Sequence, residues 1–171
     1  LLYSSSYSPL WVIISIALGI LASYVALKIT ALIEKEQRHV FRLTWAIITS
    51  LILGLGFWTM HFVGMLALSL PCKVGYEPFI TVLSIIPGIM GAGFALCIVF
   101  QLKEHLSRLV RSILLATGIG TMHYTGMMAM QLEGFVRYDP FLFVISLIVA
   151  LLLSYLALNL VERLKIYHKI G

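Results

Sequence analysis

The chain has 171 residues, 61% of them apolar and only 11% charged, less than half the charged share usual in soluble domains. With a mean hydropathy of +1.03, it is excluded from the ordinary soluble class and fits an integral membrane protein. The net charge of +5 is no nucleic-acid footprint, because the basic residues flank apolar blocks in small groups, and no nucleic-acid contact is expected.

Five apolar blocks follow in chain order, at 9–32, 43–70, 78–102, 109–132 and 140–161. Each is long enough to cross the hydrocarbon core at about 1.5 Å per residue. The expected fold is an all-α integral membrane protein with five transmembrane helices, antiparallel neighbours joined by short polar connections. The second block is over-long, so it tilts or begins on the membrane surface. Strands are not expected, since no clean two-residue alternation occurs. Ten Lys and Arg residues, from Lys28 to Lys169, fall at one end of these blocks, and Lys73 and Arg137 at the other. The basic end is expected to be cytoplasmic, with the N-terminus outside and the C-terminus inside. Glu133 and Asp139 read as plain loop charges at the outer side, and His39, His105 and His168 as solvated residues of the basic loops.

Cys72 lies just past the second block and Cys97 deep in the third, towards its opposite end. A bond between them would have to cross most of the bilayer, which disulfide geometry forbids. Two unpaired thiols are expected, Cys97 acting as a small hydrophobe.

The second and fourth blocks share a pattern at an offset of 62 residues. Gly56, Thr59, Met60, His61, Gly64, Met65, Ala67 and Leu70 recur as Gly118, Thr121, Met122, His123, Gly126, Met127, Ala129 and Leu132. Tyr76-Glu77-Pro78-Phe79 recurs as Tyr138-Asp139-Pro140-Phe141, with Tyr7-Ser8-Pro9-Leu10 as a looser copy. Each proline is expected to open a helix at its first turn, where its missing N–H is harmless. The repeat unit is a Tyr-x-Pro helix, a basic loop and a returning helix with Met-His. Units are expected at about 7–70, 76–132 and 138–171, the last incomplete. By this spacing a third Met-His falls beyond Gly171, and the chain, which begins at Leu1, is expected to be part of a longer protein.

An imidazole in hydrocarbon costs free energy and is rarely placed there without a role. In a helix His61 and Met65 share one face, as do His123 and Met127, with Met130 a further turn along. Met60 and Met122 occupy adjoining faces. Imidazole with thioether is a soft ligand set without fixed charge, suited to Cu(I) rather than to calcium or magnesium. Gly56, Gly64, Gly118 and Gly126 would let the helices approach closely and bring His61 and His123 together. The pair is expected nine or ten residues from the outer helix ends. Thr59 and Thr121 either cap carbonyls of the preceding turn or orient the imidazoles. The bland alternative is that both histidines are hydrogen-bonded packing residues. No nucleophile–base–acid set, phosphate loop or paired carboxylate is visible, so no catalytic residue is expected in this segment.

Met122-His123-Tyr124-Thr125 spells the signature of the bacterial MHYT domain, and Met60-His61-Phe62-Val63 keeps its Met and His. The chain resembles that family over essentially its whole length. The resemblance implies a six- or seven-helix sensor of the bacterial cytoplasmic membrane, placed before a cytoplasmic signalling module such as a diguanylate cyclase, a cyclic-di-GMP phosphodiesterase or a kinase. It further implies copper held by Met60, His61, Met65, Met122, His123 and Met127, sensing oxygen, CO or NO. The expected partners are the lipid bilayer, a diatomic gas, a signalling domain in cis and, in a homodimer, a second copy. Three rivals stay open: a haem-bearing electron carrier with His61 and His123 as axial ligands, a metal transporter or channel, and a purely structural module.

Overall fold

The computed structural model describes residues 6–69, 73–101, 108–132 and 139–170; the side chains of 34–35, 97–101 and 164–170 stand outside that description. In chain order the elements are β1 (Ser6–Tyr7), α1 (Pro9–Lys35), α2 (His39–Leu66), β2 (Leu68–Ser69), β3 (Val74–Tyr76), α3 (Pro78–Leu83), α4 (Ile85–Gln101), α5 (Arg108–Met128), β4 (Met130–Leu132) and α6 (Pro140–Ile170). Only Ser84 separates α3 from α4, so the helical segments form five rods. The interruption has a local cause. Pro87 has no N–H for the carbonyl of Leu83, and its ring crowds that carbonyl.

Pro9, Pro78 and Pro140 each open a helix, as their positions predict. Two of these starts carry an acidic cap. The Glu77 carboxylate accepts the N–H groups of Phe79 and Ile80, and Asp139 accepts those of Phe141 and Leu142. Ser8 makes no side-chain cap. Asp139 is therefore a helix cap rather than the plain loop charge expected of it.

The rods pack in chain order: α1 on α2, α2 on α4, α4 on α5, and α5 on α6, with α2 also touching α5. Small residues make this possible. Ala26, Ala46, Ala92, Ala95 and Ala116 are buried, and a Cβ on Gly118 would lie 2.5 Å from the Cα of Gly91. Such close backbone approach is how helices associate where burial from water gives no drive. Buried hydroxyls are satisfied within their own helix: Thr30, Thr49, Ser50 and Ser112 each donate to the carbonyl four residues back.

The structure corrects several expectations. Among the described residues four helices, not five, are long and apolar enough to cross a membrane: Pro9–Ile33, His39–Leu66, Pro78–Leu96 and Pro140–Arg163. The block expected at 109–132 does form a helix, α5. Its glycines, threonines, His123 and Tyr124 dilute its apolar character, and Ser112, Leu115, Gly118, Gly120, Met122 and Gly126 are buried against neighbours. An all-α bundle of five rods with four candidate spans replaces the expectation of five transmembrane helices in a six- or seven-helix bundle.

Strands are present, against expectation. β1 pairs with β2 and β3 with β4, both antiparallel. Runs of two and three residues are too short to show an alternation. They end α2 at Leu66 and α5 at Met128, four residues before the expected limits, and place Met130 on a strand rather than on the histidine face of a helix. Each pair closes one helical hairpin. Ala67 C=O accepts Ser8 N–H at 2.9 Å, and Ala129 C=O accepts Glu77 N–H at 2.8 Å. His39, expected in a loop, is the exposed first residue of α2. Cys72, Glu133 and His105, with the side chains of Cys97 and His168, lie outside the described residues.

Candidate functional site

α2 and α5 meet at their histidines. His61 Nδ1 and His123 Nδ1 are 3.2 Å apart, with ring centroids 4.7 Å apart and planes at 67°. Both residues are half-buried. Each lies five residues before the end of its helix, Leu66 or Met128. The pair is therefore nearer the strand-bearing end than the nine or ten residues expected, because the strands shorten both helices. One proton fits between the two Nδ1 atoms, so between neutral rings one imidazole donates and the other accepts.

Gly126 gives the His61 ring its seat. A Cβ at that position would lie 2.7 Å from His61 Nε2 and 3.2 Å from Phe62 Cζ. His61 Nε2 is buried and has no hydrogen-bond partner among the described residues. Since that edge is closed by the α5 backbone, Nδ1 is the nitrogen turned towards His123. Aromatic rings line both sides. Phe62 packs on His61 at 5.1 Å and on Trp58 at 4.8 Å. Tyr76 stands 5.9 Å from Phe62, and burial pushes its phenol above the usual range. Tyr124 lies 4.9 Å from His123 and 4.8 Å from Phe143 of α6.

The structure brings the two histidines together and turns Met60 and Met122 elsewhere. The sulfur of Met60 faces Gly19 of α1, where a Cβ would meet it at 2.8 Å, and Met122, 1% exposed, lies beside Gly88 of α4. Met65 is buried and Met127 half-buried, each one turn beyond its histidine. Thr59 donates to the Leu55 carbonyl at 2.7 Å, while Thr121 is exposed. Gly56 is seated on Ala22 and Gly118 on Gly91, whereas Gly64 has ordinary room beside Ser15 at 3.7 Å. Among the described residues no three His, Cys, Asp or Glu side chains converge on a metal position. Any third ligand from this set would be a thioether.

Three features escape a reading of the sequence alone. Trp58 Nε1 donates to Thr81 C=O and Ser84 Oγ, both at 3.0 Å. The Tyr124 hydroxyl meets Ser146 Oγ at 2.6 Å. At the far end, Arg108 Nη2 pairs with Glu162 at 2.6 Å and Arg111 with the same carboxylate, joining α5 to α6. The 62-residue interval between Ser84 and Ser146 is the available signal for the first two.

Fold and site together define a multi-pass helical bundle with a paired polar site between two of its rods. The repeat described as "MHYT: Bacterial signalling protein N terminal repeat" matches residues 54–112 and 117–169. The chain belongs to this family and is one of its membrane sensor domains, a multi-pass protein of the bacterial cytoplasmic membrane that serves signal transduction. It is 38% identical over 162 residues to the bifunctional diguanylate cyclase/cyclic di-GMP phosphodiesterase MucR of Pseudomonas aeruginosa, covering 94% of this chain and 24% of that protein. It is 32% identical to the cyclic di-GMP phosphodiesterase NbdA of the same organism, covering 96% and 21%. With the signaling protein YkoW of Bacillus subtilis the identity is 30%, covering 91% and 19%. The chain thus spans about a quarter or less of these relatives. No solved structure matches it.

Proposed function

We propose that the His61–His123 pair holds one soft metal ion, Cu(I), and that the domain senses oxygen, CO or NO there and signals to a cytoplasmic output module in the same polypeptide. The observation that carries this reading is the 3.2 Å between the two Nδ1 atoms. Two nitrogens bound to one ion at about 2.0 Å each, at a roughly tetrahedral angle, stand about 3.3 Å apart. The donor set fits the metal. Two neutral imidazoles with thioethers one turn away in sequence favour Cu(I) over hard cations, and the aromatic rings beside them would limit the approach of competing water. When bound, Cu(I) supplies an open coordination position for a diatomic ligand. The protein's part is to hold both rings: Gly126 seats His61, and Phe62 and Tyr124 flank the pair.

Axial haem ligation is less well supported. With their ring nitrogens 3.2 Å apart, the two imidazoles would leave no room between them for a planar macrocycle. The names of the relatives support an output involving cyclic di-GMP, as a cyclase, a phosphodiesterase or both.

Elemental analysis of the full-length protein beside a His61→Ala/His123→Ala double variant tests the proposal. The expected result is one copper per wild-type chain and none in the variant. Equal metal content in the two would overturn it.

A further inference from the structure

From the contacts on either side of His123 we infer that Tyr124 is a positioning residue that couples the histidine pair to α6. The inference rests on the reading of that pair as the sensing site. The ring of Tyr124 packs edge-on against His123 at 4.9 Å and reaches across to α6, where it lies tilted against Phe143 at 4.8 Å. Its hydroxyl lies 2.6 Å from Ser146 Oγ. Ser146 commits its own hydrogen to the Phe143 carbonyl at 2.7 Å, so the tyrosine must be the donor. The link therefore has a direction, from Tyr124 O–H to Ser146 Oγ to the α6 backbone.

The first match to the family repeat, 54–112, contains the same joint, built from another position. Ser84, 62 residues before Ser146, donates to the Thr81 carbonyl at 2.7 Å and receives the N–H of Trp58. In both matches an aromatic donor on the Met-His helix engages a serine of the rod that follows. Each copy of the family repeat, 54–112 and 117–169, contains both partners of its joint.

The two receiving helices differ in what they do with a displacement. Ser84 sits at the interruption between α3 and α4, three residues before Pro87, and a push there is absorbed by the break. In α6 the position 62 residues beyond Pro87 is Val149, and the helix runs unbroken from Pro140 to Ile170. A shift at Ser146 is carried along that rod to Glu162, which Arg108 and Arg111 tie back to α5. Residues 139–149 are exposed along α6, and the next buried positions are Ser154 and Leu158, so Tyr124 is the main tie on the helix's first three turns.

The test uses the full-length chain in lipid nanodiscs, following backbone hydrogen exchange of α6 with and without Cu(I). Wild type should show a copper-dependent change in α6. Tyr124→Phe, which keeps the ring, and Ser146→Ala should each reduce that change about fivefold, the weight of one ordinary hydrogen bond. Ser146→Ala should bind as much copper as wild type, and Trp58→Phe should leave the α6 response intact. An undiminished response in both variants, or a copper-loaded wild type whose α6 does not respond, overturns the inference. If the protein binds no copper, the reading of the site fails instead, and the coupling is decided by His123→Ala. That substitution must alter α6 exchange when residue 124 is Tyr and not in the Tyr124→Phe background; equal changes overturn the inference.

Discussion

The two Met-His helices carry nearly the same motif and are held in different ways. Around α2 the ties are tight. Trp58 is hydrogen-bonded across to the α3–α4 junction, Met60 is pressed on Gly19, and Gly56 rests on Ala22. Around α5 the inner face is tighter still, with Gly118 on Gly91 and Gly126 under the His61 ring, while on the other side its side-chain ties to α6 include Tyr124 and the Arg108–Arg111–Glu162 cluster. A duplicated sequence has thus been divided between a fixed half, which positions one imidazole, and a half whose partner helix is largely exposed. Equivalent residues should therefore respond unequally when changed.

The largest inequality is expected at the helix contact itself. Gly118→Leu drives a side chain into the backbone of Gly91 and the Pro87 carbonyl, and should cost about 3 kcal/mol or prevent assembly. Gly120→Ala in the same helix meets only Leu147 at 3.6 Å and should be tolerated. Unfolding by dodecyl sulfate titration in mixed micelles measures both. Next come the two glycines that follow each histidine by three residues. Gly126→Ala displaces the His61 ring and should weaken Cu(I) binding about tenfold, equivalent to ~1.4 kcal/mol, while Gly64→Ala should leave it unchanged. Competition with a colorimetric Cu(I) chelator reads the difference, and equal effects would erase the distinction drawn here.

Smaller effects should separate the two joints. Trp58→Phe removes the N–H shared by Ser84 Oγ and the Thr81 carbonyl, which keeps its bond from Ser84, and should cost about 1 kcal/mol of stability. Tyr124→Phe should cost less, about 0.5 kcal/mol, because it removes one bond where Trp58 makes two, and Ser146 keeps its own bond to the Phe143 carbonyl. The smallest difference lies at the helix starts. Asp139→Ala should destabilise by about 1 kcal/mol, whereas Ser8→Ala, which removes no cap bond, should do nothing measurable.

Much of this was legible in the chain. The prolines marked three helix starts, the 62-residue offset marked the repeat, and two matched imidazoles in apolar helices pointed to their meeting. What escaped had physical reasons. The strand pairs of Ser6–Tyr7 and Val74–Tyr76 are set by backbone bonds between distant segments, which no local pattern records. By its length the block at 109–132 reads as a membrane span, but a helix packed among neighbours can carry His123, Tyr124 and several glycines that lower its hydropathy. Asp139 and Glu77 immediately before a proline were readable as caps, since an acidic side chain ahead of a first-turn proline is a helix-start signal. The roles of Trp58, Ser84 and Ser146 required coordinates, because the donor comes from before the histidine in one unit and after it in the other.

The claim that supports everything functional is that both imidazoles serve one ion. X-ray absorption on the Cu(I)-loaded full-length protein measures this directly. Two imidazole nitrogens at about 2.0 Å in wild type, falling to one in His123→Ala, is the result expected. A spectrum without imidazole scattering, or one that His123→Ala leaves unchanged, would contradict it.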